Sequence, residues 1–207
     1  MDKNALSRKV MNADIPSIVR HKGYAFFTNG LYNLNIIGVR KDNNKKITNL
    51  YDDILLVMYK TTRGWQKKLY NITTEPGEYY MRKKLLNQKG TAILVPGQYR
   101  STWEIGKHNG KYKALVQCKP VKVYRDGNKD MIYDMYPETI NEGLFGINIH
   151  RSNESYTRKT IDMYSAGCQV FSNPDDFQSF LSLCDEQAKR YGNKFTYTLI
   201  DEKDLKI

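Results

Sequence analysis

Two scarce residues stand eighteen positions apart: His150, one of three histidines, and Cys168, one of three cysteines. A thiolate held beside an imidazole is a strong nucleophile at neutral pH, and the imidazole can later protonate a leaving amine, so such a pair would perform acyl transfer through a thioester. Cys168 lies in SAGCQVF, where Ala166 and Gly167 let the backbone turn tightly just before the sulfur. A tight turn ahead of a helix exposes N–H groups that lower a thiol pKa and bind an oxyanion. In GLFGINIH the alternation sends Phe145, Ile147 and Ile149 to one face, and His150 ends the strand on the other side. Spacing alone leaves pairing and coincidence both open.

The other cysteines and histidines have plainer surroundings. Cys184 shares a helix face with Phe177, Phe180, Leu181 and Ala188 and reads as a small buried hydrophobe. Cys118 ends an alternating strand segment with no histidine near it, and packing is its expected role. His21 falls at a helix end and His108 beside a hairpin tip, and both are expected to be exposed. Three cysteines suit a reducing birthplace rather than a disulfide framework. Zinc spacings such as CxxC or HxxxH are missing, so no metal and no cofactor is expected.

These residues must be positioned by a strand-rich frame. The segment ADIPSIVRHKGYAF predicts a short amphipathic helix capped by Asp14 and stopped by Gly23. Strands are predicted over residues 32–40, 52–60 and 65–73, from β-branched and aromatic runs parted by polar loops. GTAILVPGQY turns at its Pro-Gly pair, Asn109 and Gly110 mark a hairpin tip, and Asp126 and Gly127 predict a second hairpin. The clearest helix runs from Pro174 to Gly192: Asn173 caps it, Asp175 and Asp176 favour its positive end, and Lys189 and Arg190 its negative end. KFTYTLI closes the chain as a strand. Repeats and linker-like tracts are lacking, so residues 1–22 are expected as a helical extension and 23–207 as one domain.

Composition narrows the partners. With 40% hydrophobic and 27% charged residues, the 207-residue chain reads as globular, and 16 tyrosines suit half-exposed strand faces. Lysine and arginine exceed the acids by 33 to 22, a net +11 that attracts anionic partners such as nucleic acid, lipid or bacterial cell wall. Nucleic acid ranks last, because helix-turn-helix, zinc-finger and aromatic RNA-binding signatures are missing. No apolar run is long enough for a membrane span. The first twenty residues carry scattered charges and lack an apolar core, so synthesis in the cytoplasm without a secretory signal is expected.

A histidine, fourteen residues, then Ser165, one residue, Gly167 and Cys168 resembles the signature of the L,D-transpeptidase (YkuD-type) catalytic domain, and GINIH is similar to the strand that precedes it. Ala166 stands where the family usually has histidine, and Val170 where arginine is frequent, so substrate contacts and the acyl acceptor do not carry over. The resemblance implies a mainly β fold with α+β character: a mixed or antiparallel β-sandwich, a short N-terminal helix and one helix after the cysteine motif. It also implies that Cys168 attacks a peptidoglycan stem peptide, that His150 is its base, that Ser165 braces the turn, and that Gly167 and Cys168 donate to the oxyanion. From chemistry rather than the family, the Arg151 carbonyl would orient the imidazole, while Arg151 and Tyr164 would contact substrate. The chain looks most like phage-encoded relatives that act at the bacterial cell wall or periplasm, with virion components as further partners. The rival reading is a degenerate virion or wall-binding module.

Overall fold

The computed structural model describes residues 5–83 and 86–206. The chain is mainly β, with helices at its start and after the cysteine motif. Eleven strands are described: β1 (Asn35–Arg40), β2 (Asp53–Thr61), β3 (Gly64–Thr73), β4 (Thr91–Leu94), β5 (Gly97–His108), β6 (Tyr112–Gln117), β7 (Val121–Asp126), β8 (Asn141–Gly143), β9 (Ile149–Arg151), β10 (Gln169–Phe171) and β11 (Phe195–Asp201). The helices are α1 (Ala5–Asn12), α2 (Ile15–His21), α3 (Glu78–Arg82) and α4 (Pro174–Tyr191).

Where a sandwich was expected, eight strands close into a barrel in the order β1-β11-β5-β6-β9-β10-β3-β2, and β4-β7-β8 form a separate small sheet. Most neighbours run antiparallel, but β1–β11 and β9–β10 are parallel. Closure follows because β1 and β11, near opposite ends of the chain, zip over five residue pairs from Ile36↔Tyr197 to Arg40↔Asp201, which leaves neither as a free edge.

The wall made of β1 and β2 is covered on both sides, which is why its sequence reads as unbroken apolar runs rather than an alternation. Ile36, Leu55 and Val57 face a core shared with Trp103, Phe171, Tyr197 and the α4 residues Phe177, Phe180, Leu181 and Cys184. Ile37, Val39, Ile54, Leu56 and Met58 face a second core with Leu6, Val10, Ile15, Ile18 and Val19 of α1 and α2. Residues 5–22 therefore pack as a layer on the barrel, with α1 as a second helix beyond the one read from ADIPSIVRHKGYAF. At eight residues α1 is short, which gives little periodic signal. Asp14 caps α2 through Ser17 N at 3.2 Å, and Asn173 caps α4 through Asp175 N at 2.7 Å, both as expected.

The hairpin at Asn109 and Gly110 forms, with φ of 49° and 71° at the two residues. The one expected at Asp126 and Gly127 does not: both edges of β7 are taken, by β4 and β8. Residues after Gly127 instead loop back, with Asp126 Oδ2 accepting from Asp134 N at 2.9 Å. No helix among the described residues is long and apolar enough to cross a membrane.

Candidate active site

The parallel pairing of β9 with β10 brings the two scarce residues together. Gln169 aligns with Ile149 and Val170 with His150, and Gln169 N donates to Asn148 O at 2.9 Å. Cys168 thus lies across from Asn148, two places from His150 on the same face, at roughly 8 Å between Cα atoms by strand geometry. Both side chains line one groove of about 500 Å³, together with His108, Arg125, Phe145 and Tyr164.

The turn before Cys168 is held rigidly. Ser165 Oγ donates to Cys168 O at 2.8 Å and accepts from Gly167 N at 3.2 Å, while Ser165 O accepts from Gly77 N at 2.9 Å. Gly167 has φ of +120°, and a Cβ there would lie 2.4 Å from Ala92 O, so conformation and close approach both demand glycine. The turn leads into strand β10 rather than directly into a helix, as the sequence suggested, so a helix terminus does not act on the thiol. Because Gly167 N–H is used by Ser165, it is not an oxyanion donor. Cys168 N–H has no partner among the described residues and remains available.

The sulfur is half-buried. It accepts from Asn148 N at 3.4 Å and donates to Gly146 O at 3.3 Å. Burial pushes the thiol up to about 11, with the Asn148 N–H partly opposing. His150 is 4% exposed, and its Nδ1 lies 2.8 Å from Arg151 O and 3.2 Å from the Tyr112 hydroxyl, which itself donates to Arg151 O at 3.1 Å. A carbonyl can only accept, so this network assigns the proton to Nδ1 and leaves Nε2 as a bare acceptor. Burial, then the neighbouring His108, hold the imidazole down to about 3. Thiol and imidazole are both neutral at pH 7 and are not hydrogen-bonded to each other, so the pair is not a preformed thiolate–imidazolium.

The Arg151 carbonyl orients the imidazole as expected, but its guanidinium does not line the groove. It lies 4.3 Å over the Tyr112 ring and 3.7 Å from Glu154. Tyr164 does line the groove, with Arg158 5.0 Å from its ring centre.

His108 departs from the exposed position expected of it. Its ring stacks on His150 at 3.9 Å and 20°, and its Nδ1 accepts from Asn148 Nδ2 at 3.0 Å. Asn148 Oδ1 accepts from Gln117 N at 2.9 Å, which fixes the orientation of its amide. Asn148 therefore joins the sulfur, through its N–H, to His108, through its amide. Compared with protein-family models, curated proteins and solved structures, the chain matches none.

What the arrangement can do chemically rests on these residues. A bare Nε2, a thiol and a free backbone N–H belong to two residues that line one groove, a set of groups that suits base-assisted attack on a carbonyl. Sequence reasoning missed His108, Asn148 and Tyr112. The one signal for the first and last was the hairpin itself, which pairs His108 with Tyr112 across its tip. Elsewhere, Cys184 is buried in the core and His21 is exposed, as expected. Cys118 is half-buried and accepts from Lys194 Nζ at 3.4 Å, a wetter setting than the packing role foresaw.

Proposed function

We propose that this chain is a cysteine acyltransferase acting on peptidoglycan stem peptides by the L,D-transpeptidase plan, the product of a phage and acting at the bacterial wall or periplasm. The observation that supports this most directly is the shared groove, where the Cys168 sulfur and the oriented His150 stand with Ser165 bracing the turn between them.

His150 Nε2 takes the thiol proton as the sulfur attacks the amide carbonyl, so the C–S bond forms while the carbonyl oxygen gains charge. Cys168 N–H donates to that oxygen, a contact worth about 100-fold or more in rate where such donors have been removed elsewhere. Collapse breaks the C–N bond, and the proton on Nε2 passes to the leaving amine. An incoming amine then turns the thioester into a cross-link, and water turns it into a cleaved stem. Starting from neutral partners, the proton moves during attack rather than before it.

The test is covalent labelling read by intact mass. One carbapenem or thiol-probe adduct is expected, lost in Cys168→Ala and kept in Cys118→Ala and Cys184→Ala; equal labelling of all three variants rejects the enzyme. Ala166 on the groove wall, in the family's histidine position, favours a second reading, a degenerate wall-binding module. That reading expects salt-sensitive binding to sacculi, unchanged in Cys168→Ala, with no fragments released.

A further inference from the structure

Arg125, on β7, lines the groove yet is only 8% exposed. Its Nη1 donates to Gly90 O at 3.2 Å, and its guanidinium carbon lies 4.4 Å from the centre of the Phe145 ring. Nε and Nη2 are buried and have no hydrogen-bond partner. Other arginines of the described chain, Arg40, Arg151, Arg158 and Arg190 among them, have carboxylates within 4.0 Å, and Arg125 has none. Its neighbour Asp126 alternates to the opposite side of the strand and is engaged with Asp134 N.

A guanidinium keeps its charge at any ordinary pH, and burying it without a counter-charge is unfavourable. The two unpartnered nitrogens are informative as a pair. Nε–H and Nη2–H project in parallel from one edge of the planar group, at the spacing of the two oxygens of a carboxylate. Gly90 holds the remaining nitrogen and Phe145 covers a face, so the group is oriented with that one edge uncommitted. We infer that the groove anchors its ligand by a carboxylate, held side-on by Arg125 Nε and Nη2. On docking, the carboxylate exchanges its hydration for two charge-assisted hydrogen bonds out of water.

This deepens the proposed function and rests on its groove, but not on its chemistry. Binding is therefore measured in Cys168→Ala protein by calorimetry, with N-acetyl-L-alanyl-D-alanine, its C-terminal carboxamide and inorganic phosphate as probes. The free acid is expected to bind at least about tenfold more tightly than the amide. Arg125→Gln removes the preference, and Arg125→Lys, which keeps the charge but loses the fork, reduces it. Arg125→Lys decides alone if the glutamine variant does not fold. Equal affinity for acid and amide, no binding of the acid at millimolar concentration, or a preference that survives in Arg125→Gln overturns the anchor. Phosphate binding as tightly as the acid overturns the carboxylate assignment. If Cys168 fails to label while the acid preference holds, the enzyme is rejected and the anchor stands.

Discussion

Two buried polar networks in this barrel differ in what they leave open. At the junction of β1, β2 and β3, Arg40 donates to Thr74 Oγ1, Thr74 O and Leu94 O, each at 3.0 Å, and sits 3.5 Å from Glu75. Asp53 accepts from Lys41 N, Thr74 N and Thr74 Oγ1 at 2.7–2.8 Å. Apart from Arg40 Nη1, that network closes on itself. Around β9 and β10, by contrast, His150 Nε2 and Cys168 N–H have no partner among the described residues, and the sulfur has only the Asn148 N–H and the Gly146 carbonyl, at 3.4 and 3.3 Å. Burial drives both networks toward neutrality: Asp53 is pushed up to about 6, Glu75 well above its ordinary range, and His150 down to about 3. Burial thus does not distinguish a site from a strut. The difference lies in acceptors and donors that the fold orients but does not use.

The sharpest way to break this contrast is to damage the closed network alone. Arg40→Leu strands buried Glu75 and Asp53 and is expected to destabilise the fold by about 3–5 kcal/mol, read by urea denaturation. Labelling of Cys168 in the folded protein stays as it was; a parallel fall in labelling would show that the two networks act as one.

His150→Gln is the converse, and the next largest effect. Cys168 labelling at pH 7 is expected to fall roughly 100-fold or more, and the variant regains reactivity only as the thiolate forms near pH 11. Stability shifts with a definite sign. The folded pKa of His150, about 3, lies below the unfolded value, roughly 6.5, so the unfolded chain takes up its proton first. The neutral imidazole's contribution is complete above roughly pH 6.5 and is lost as pH falls toward 3. Asp53 works the other way: with a folded pKa of about 6, above its unfolded value, its contribution is greatest at low pH and declines as pH rises toward 6. Between pH 7 and pH 4 the wild type therefore loses more stability than His150→Gln, and equal losses would remove His150 from the account.

How much of this was legible depended on how local each signal was. The α4 helix was readable from Asn173, Pro174 and Gly192, because caps and period lie within one segment. The turn at Ser165 to Cys168 was readable for the same reason. Barrel closure was not, because it depends on β1 meeting β11 across some 160 residues, and no local pattern encodes which strand closes a ring. The failed hairpin at Asp126 shows the same limit: its turn residues were right, but β4 and β8 had already claimed both edges of β7. His108 was misjudged by a rule that holds for most hairpin tips, and only the fold carries this tip over β9.

That tip yields the smallest and most discriminating effect. His108 touches His150 only by ring stacking, and it is tied to the sulfur's neighbour Asn148 by one hydrogen bond. If it merely fills space, His108→Gln changes little beyond stability. If it helps to keep His150 neutral, as a second ionisable ring at 3.9 Å should, removing it raises the His150 pKa. Burial is the larger cause of the depression and remains in the variant, so the shift is modest. The acid limb of the Cys168 labelling profile is then expected to move to higher pH, while the rate at pH 8 stays near that of the wild type. A purely structural role would lower the rate at every pH and leave the limb in place, so the position of the limb, not the size of the rate, separates the two.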